Sequence, residues 1–151
     1  MTTLPILLIE DNLDDVSLTM RALKKNRILN HVSVVHDGAE ALEHLFNEDG
    51  TTHAPYGLVL LDLKLPKIDG LEVLRRMRAD ERTQLTPVVI LTSSKLEEDI
   101  EAGYRLGANA FVRKPVNFTE FAEAINTVGM FWLLLNEAVL DERGDTHERR
   151  P

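Results

Sequence analysis

Short, nearly unbroken apolar runs alternate along the chain with longer stretches in which apolar residues recur every three or four positions. The runs are Leu4–Ile9, Val32–Val35, Leu58–Leu61, Val88–Leu91 and Ala110–Val112. A run that is apolar at every position suits a parallel strand covered on both faces, because both sides of its pleat are then buried. Between the runs, four sets of residues each predict a helix with one stripe against a sheet: Val16, Met20 and Leu23; Ala41, Leu42 and Leu45; Leu71, Leu74 and Met77; and Leu96, Ile100, Gly103 and Tyr104. Asp37 with Glu40, and Asn117 with Glu120, have the three-residue spacing of a capping box, and Gly107 is placed to end the fourth helix. Five strands alternating with five helices predict one α/β domain, an open doubly wound parallel sheet with right-handed crossovers.

The last helix is predicted to be too long for that sheet. Running from Phe118 to about Leu140 at 1.5 Å per residue, it would reach roughly 34 Å, against ~17–20 Å for a strand. Met130–Leu135 is apolar on all sides, more than one sheet-facing stripe can bury. Either this segment packs back on its own domain, or it makes a homodimer through Phe131, Trp132, Leu133 and Leu135, with Gly129 as a bend point. The domain is expected to span residues 1–140, and the polar segment 141–151 to be disordered.

Composition narrows the function classes. The 151 residues carry 17 Lys+Arg against 25 Asp+Glu, and a net charge of −8 disfavours nucleic acid, whose affinity comes from neutralised phosphates. With no cysteine there is no disulfide framework, thiolate nucleophile or Cys-ligated zinc, which fits a reducing cytoplasm. No signal-peptide pattern occurs and no apolar stretch reaches the ~20 residues that span a bilayer, so a cytoplasmic protein without membrane contact is expected.

Ligands of open parallel sheets bind beyond the carboxyl ends of the strands. Here strand 1 ends in Glu10 and Asp11, strand 3 in Asp62 and strand 4 in Thr92, while strand 5 runs into Lys114 and Pro115. Carboxylates held close together repel one another unless a cation or proton compensates, and a hard divalent ion such as Mg²⁺ takes oxygen ligands of this kind. With such a cation beside it, Asp62 could attack phosphorus to give an aspartyl phosphate, with Lys114 and Thr92 contacting the phosphoryl oxygens. Taken singly, each residue has a plainer reading. Asp11 or Asn12 could cap the first helix, with Asp14 and Asp15 favoured near its positive end. Asp62 could be a turn residue, and Lys114 a solvated loop charge. Capping, however, requires neither a lysine on strand 5 nor a hydroxyl on strand 4. Arg75, Arg76 and Arg78 read as a solvated helix face or as recognition residues.

The motifs LLIEDN (7–12), LLDLKLPKIDG (60–70), VVILTSS (88–94) and FVRKP (111–115) together resemble the receiver domain of two-component response regulators over roughly residues 4–128. The resemblance implies a flavodoxin-like (βα)5 fold with strand order 2-1-3-4-5 and Mg²⁺-dependent phosphotransfer from a histidine kinase. It implies that Asp62 is the phosphoacceptor, that Glu10 and Asp11 hold Mg²⁺ with Asp62, and that Lys64 adds its backbone carbonyl. Thr92 and Phe111 are the implied switch pair, Lys114 the implied phosphoryl-binding lysine, and the bond to Pro115 the implied cis peptide. Phe111 stands where many receivers have Tyr, so the switch lacks a phenolic hydroxyl, and the Lys64 side chain is placed to tune dephosphorylation. The EDN start, Asp14–Asp15, the KPV segment (114–116) and the FWL segment (131–133) are similar to single-domain regulators that partner phytochromes, implying a phytochrome kinase as donor and a dimer. Two other classes are weaker. A metal-dependent phosphatase would have a second acidic residue where Lys64 stands, and no glycine-rich nucleotide-binding motif follows strand 1. A scaffold that never becomes phosphorylated would not need Glu10, Asp11, Asp62, Thr92 and Lys114 together.

Overall fold

A computed structural model describes residues 4–46, 56–92, 97–114, 118–120 and 122–127. Its elements run β1 (Ile6–Ile9), α1 (Leu13–Lys25), β2 (Val32–Val35), α2 (Gly38–Leu45), β3 (Leu58–Leu61), α3 (Gly70–Ala79), β4 (Val88–Thr92), α4 (Glu97–Arg105) and β5 (Ala110–Arg113). Residues 118–120 and 122–127 are helical and follow β5. All five strands are parallel, in the order β2-β1-β3-β4-β5. The strand order reverses at β1, leaving β1 and β3 side by side with their carboxyl ends on one rim.

Alternation along the strands divides the core in two. Leu7, Ile9, Val59, Leu61, Val88 and Ile90 face α2 and α3, while Ile6, Leu8, Leu58, Leu60, Val89 and Leu91 face α1 and the last helical segment. Both sides of β1, β3 and β4 are buried, which is why their sequences are apolar at every position. The last helical segment is held to α1 by Asn26 Nδ2, which donates to the Ala122 carbonyl at 2.7 Å, and by Phe118, whose ring lies 4.2 Å beneath the Arg21 guanidinium.

The helix ends follow the predicted chemistry. Asn12 caps α1 and Asp37 caps α2, each side chain accepting from a backbone N–H three residues on. The Glu40 carboxylate reaches back to the His36 N–H, one residue short of a reciprocal capping box. At the end of α4, Gly107 N–H donates to Tyr104 O and Ala108 N–H to Gly103 O, with Gly107 at φ +97 as a left-handed cap. Asn117 lies outside the described residues.

Three predicted placements are corrected, the first being Tyr104, which is 51% exposed and meets the sheet side only through the Phe111 ring. Met20 is 37% exposed, because the buried stripe of α1 is Thr19, Ala22 and Leu23, with Met20 at its edge. Arg78 belongs neither to a solvated face nor to a recognition patch. Arg75 and Arg76 pair with Glu72 on the outer side of α3, but Arg78 turns inward and bonds the Thr83, Gln84, Thr86 and Gly107 carbonyls and Asn109 Oδ1.

Candidate functional site

Glu10, Asp62 and Lys114 stand one position past a strand and Thr92 at a strand's last residue, where the sheet ladder continues to hold the backbone. Glu10 N–H donates to Val35 O, Asp62 N–H to Ile9 O and Lys114 N–H to Thr92 O, at 2.9–3.0 Å. Glu10, Asp62, Thr92 and Lys114 are therefore set by the register of the sheet rather than by loop conformation. The β3–α3 loop is seated just as firmly. At Gly38 it comes so close that a Cβ would lie 1.8 Å from the Ile68 carbonyl oxygen, and Lys67 pairs with Asp37 at 3.4 Å across the same contact. Lys64, in that loop, donates its N–H to Asp62 Oδ1 at 3.4 Å.

Glu10, Asp11 and Asp62 each offer one carboxylate oxygen, all within 4.8 Å of one another. Lys114 reaches across to this group. Its ammonium pairs with Glu10, with Asp62 Oδ2 at 3.1 Å and with Asp15 Oδ2 at 2.9 Å. Glu10 and Asp62 are buried, and only 10% of the Lys114 side chain is exposed. Burial is the main reason the Glu10 carboxyl is pushed up to about 7; the Asp62 charge adds to the rise and Lys114 opposes it. Burial works against the Lys114 ammonium as well, but its bonds to Glu10 and Asp15 prevail and hold its pKa above the ordinary lysine value.

The site fits a divalent cation. Four carboxylates gather about one ammonium, Glu10 and Asp62 buried and Asp11 exposed, which leaves negative charge uncompensated at a partly buried rim. Glu10 Oε1 is buried and has the Lys114 ammonium as its partner, so a cation entering here competes with the lysine for it. Three convergent carboxylate oxygens form a hard donor set suited to Mg²⁺ or Mn²⁺.

Thr92 is buried at the end of β4. Phe111 pairs with Ile90 across the β4–β5 ladder, two residues before Thr92 pairs with Arg113, so Thr92 and Phe111 share a face of the sheet. The Phe111 ring packs on Tyr104, centroids 5.0 Å apart, and fills the space in which a Cβ on Gly103 would lie 2.7 Å from its edge. Phe111 is thus partly buried, packed against the core where β5 meets α4.

Glu10, Asp11, Asp62 and Lys114 come together as the strand-end reading predicts, and Thr92 ends the strand beside them. Asp15 is the member not assigned to the site from sequence. In sequence it reads as an acidic residue near the positive end of the helix dipole, and its spacing from Asp11 gives no sign that it meets Lys114. Pro115 and the candidate dimer residues Phe131, Trp132, Leu133 and Leu135 lie outside the described residues, as do the end of the long helix and segment 141–151.

Comparison with known proteins agrees with this geometry. The family model of the response regulator receiver domain matches residues 6–126. The chain is 35% identical to the probable methanogenesis regulatory protein FilR2 of Methanothrix harundinacea, over 88% of this chain and 86% of that one. It is also 35% identical to response regulator Rcp1 of Synechocystis, over 85% and 88%. The crystal structure of the Mn²⁺-bound form of Rcp1 superposes with a TM-score of 0.75 at 34% identity, covering 86% of this chain and 94% of Rcp1. That of the phosphorylated cyanobacterial phytochrome response regulator RcpA superposes with a TM-score of 0.78 at 36% identity, covering 87% and 95%.

Proposed function

The chain belongs to the response regulator receiver domain family, and from that premise we propose that Asp62 accepts a phosphoryl group from a histidine kinase and that the product signals through protein contacts. The observation that carries this reading is the Asp62 carboxylate, within 4.8 Å of the Glu10 and Asp11 oxygens and 3.1 Å from the Lys114 ammonium. An Asp62 oxygen attacks phosphorus, the P–N bond to the kinase histidine breaks, and the departing imidazole nitrogen keeps the electron pair and takes up a proton. Lys114 places its positive charge on a phosphoryl oxygen, and the Thr92 hydroxyl donates to another. Glu10, Asp11, Asp62 and the Lys64 carbonyl would hold Mg²⁺, which when bound would neutralise charge on the transferring group. Thr92 moving toward the phosphoryl group would free space for Phe111, so the face formed by α4 and β5 would carry the signal.

The likeness to RcpA supports a phytochrome histidine kinase as the donor. Intact-mass measurement after incubation with Mg²⁺ and acetyl phosphate tests the central step. Wild type should gain one phosphoryl group and Asp62→Asn none; a wild type that gains nothing would point instead to a receiver-fold scaffold. A homodimer through the Met130–Leu135 run belongs to the same proposal and rests on its sequence, apolar on all sides. Truncation before Met130 should leave a monomer in sedimentation velocity, and an unchanged sedimentation coefficient would refute the dimer.

A further inference from the structure

We propose that Asp15 is a positioning residue for Lys114, an anchor that keeps the lysine at the site while a divalent cation takes Glu10 and Asp62 from it. This rests on the cation reading above and adds to it a residue outside the acidic triad. An ammonium has three N–H groups, and here three carboxylates surround it: Glu10, Asp62 and Asp15. Two of these are also the oxygens that converge with Asp11 as a metal-binding group, so lysine and cation compete for them. Asp15 is not in that group. Its 2.9 Å contact with Lys114 is the one of the three that a metal on the triad leaves intact.

The local fold makes Asp15 a fixed point. It is the third residue of α1, and its backbone N–H donates to the Asn12 cap at 3.0 Å, which locks the first turn. An acidic side chain there also faces the positive end of the helix dipole. With the ammonium tethered to α1, a cation can enter without Lys114 swinging into solvent, and the lysine stays within reach of the phosphoryl oxygen that forms on Asp62. Without the tether, Lys114 can satisfy its charge only on Glu10 and Asp62, and it competes harder for both.

Mn²⁺ binding measured by calorimetry on the full chain tests this, with Asp15→Asn set against Asp14→Asn. Asp14 has the same charge in the same helical turn and is solvent-exposed, so its substitution controls for loss of negative charge alone. A partly buried ion pair in competition with the metal leads us to expect that Asp15→Asn weakens Mn²⁺ affinity by roughly three- to tenfold, and Asp14→Asn by less than about twofold. Equal effects of the two substitutions, or an Asp15→Asn protein that binds as tightly as wild type, would overturn the anchor and leave the cation site standing. A wild type that binds no Mn²⁺ would overturn both. Circular dichroism of each variant, with wild-type spectra expected, separates either result from misfolding.

Discussion

Arg78→Ala should destabilise the domain by on the order of 3 kcal/mol, among the largest losses expected from any single side chain outside the apolar core. Arg78 leaves the end of α3 and donates to the Thr83, Gln84 and Thr86 carbonyls ahead of β4, and to the Gly107 carbonyl and Asn109 Oδ1 ahead of β5. A planar guanidinium with five N–H donors can serve acceptors on two loops at once. Alanine takes the guanidinium from the partly buried Thr86 and Gly107 carbonyls, while Thr83 O keeps the Thr86 N–H, and hydrogen bonds to charged groups contribute about 1.5–3 kcal/mol each before non-additivity is counted. For a chain of this length the loss corresponds to a fall in Tm of about 10 °C. Arg78→Lys, with one compact ammonium, should recover less than half of it. Thermal melts of the three proteins decide the matter, and a shift of under about 3 °C for Arg78→Ala would show that the loops hold without the latch.

Lys114→Met should produce a comparable loss, and one that depends on pH and on metal. In metal-free wild type, burial pushes the Glu10 carboxyl up to about 7 from its ordinary 4.5. A group whose folded pKa is raised binds its proton more tightly in the native state. Its contribution to stability is therefore complete below pH 4.5 and is lost as the pH rises to about 7. Removing the ammonium deepens this dependence, since Glu10 and Asp62 then face each other with no compensating charge. At pH 8 with a chelator, Lys114→Met should lose on the order of 3 kcal/mol relative to wild type, the usual consequence of stranding buried charge. At pH 5 the loss should be much smaller, because protonated Glu10 relieves the repulsion. Millimolar Mg²⁺ should restore stability at pH 8 by mass action on the folded state. Chemical denaturation at both pH values, with and without Mg²⁺, would refute the account if the loss proved independent of pH.

The sheet and most of the pocket were legible in the sequence for a shared physical reason. A parallel strand covered on both faces must be apolar throughout, so a charged residue directly after such a run marks the rim. Glu10, Asp62 and Lys114 could be read in this way from one-dimensional pattern. Met20 could not, because an apolar residue at the edge of a helical stripe has the same periodicity as one at its centre. Asp15 and Arg78 were hidden for a different reason. Each has its meaning in partners far away along the chain, Asp15 in Lys114 and Arg78 in two loops, while its near neighbours suggest a capped helix end or a solvated face. Side chains that act by bridging crossovers leave no local trace.

That same bridging makes the complete pocket depend on contacts far apart in sequence. Lys114 meets Asp62 across 52 positions of sequence and Asp15 across 99, through strands that can pair only after the crossovers between them have closed. In an unfolded or half-assembled chain the carboxylates and the ammonium are separate, solvated charges with no common address. A partner that recognises the assembled pocket thus inspects the whole sheet, because the ammonium joins the carboxylates only once the last strand is in place.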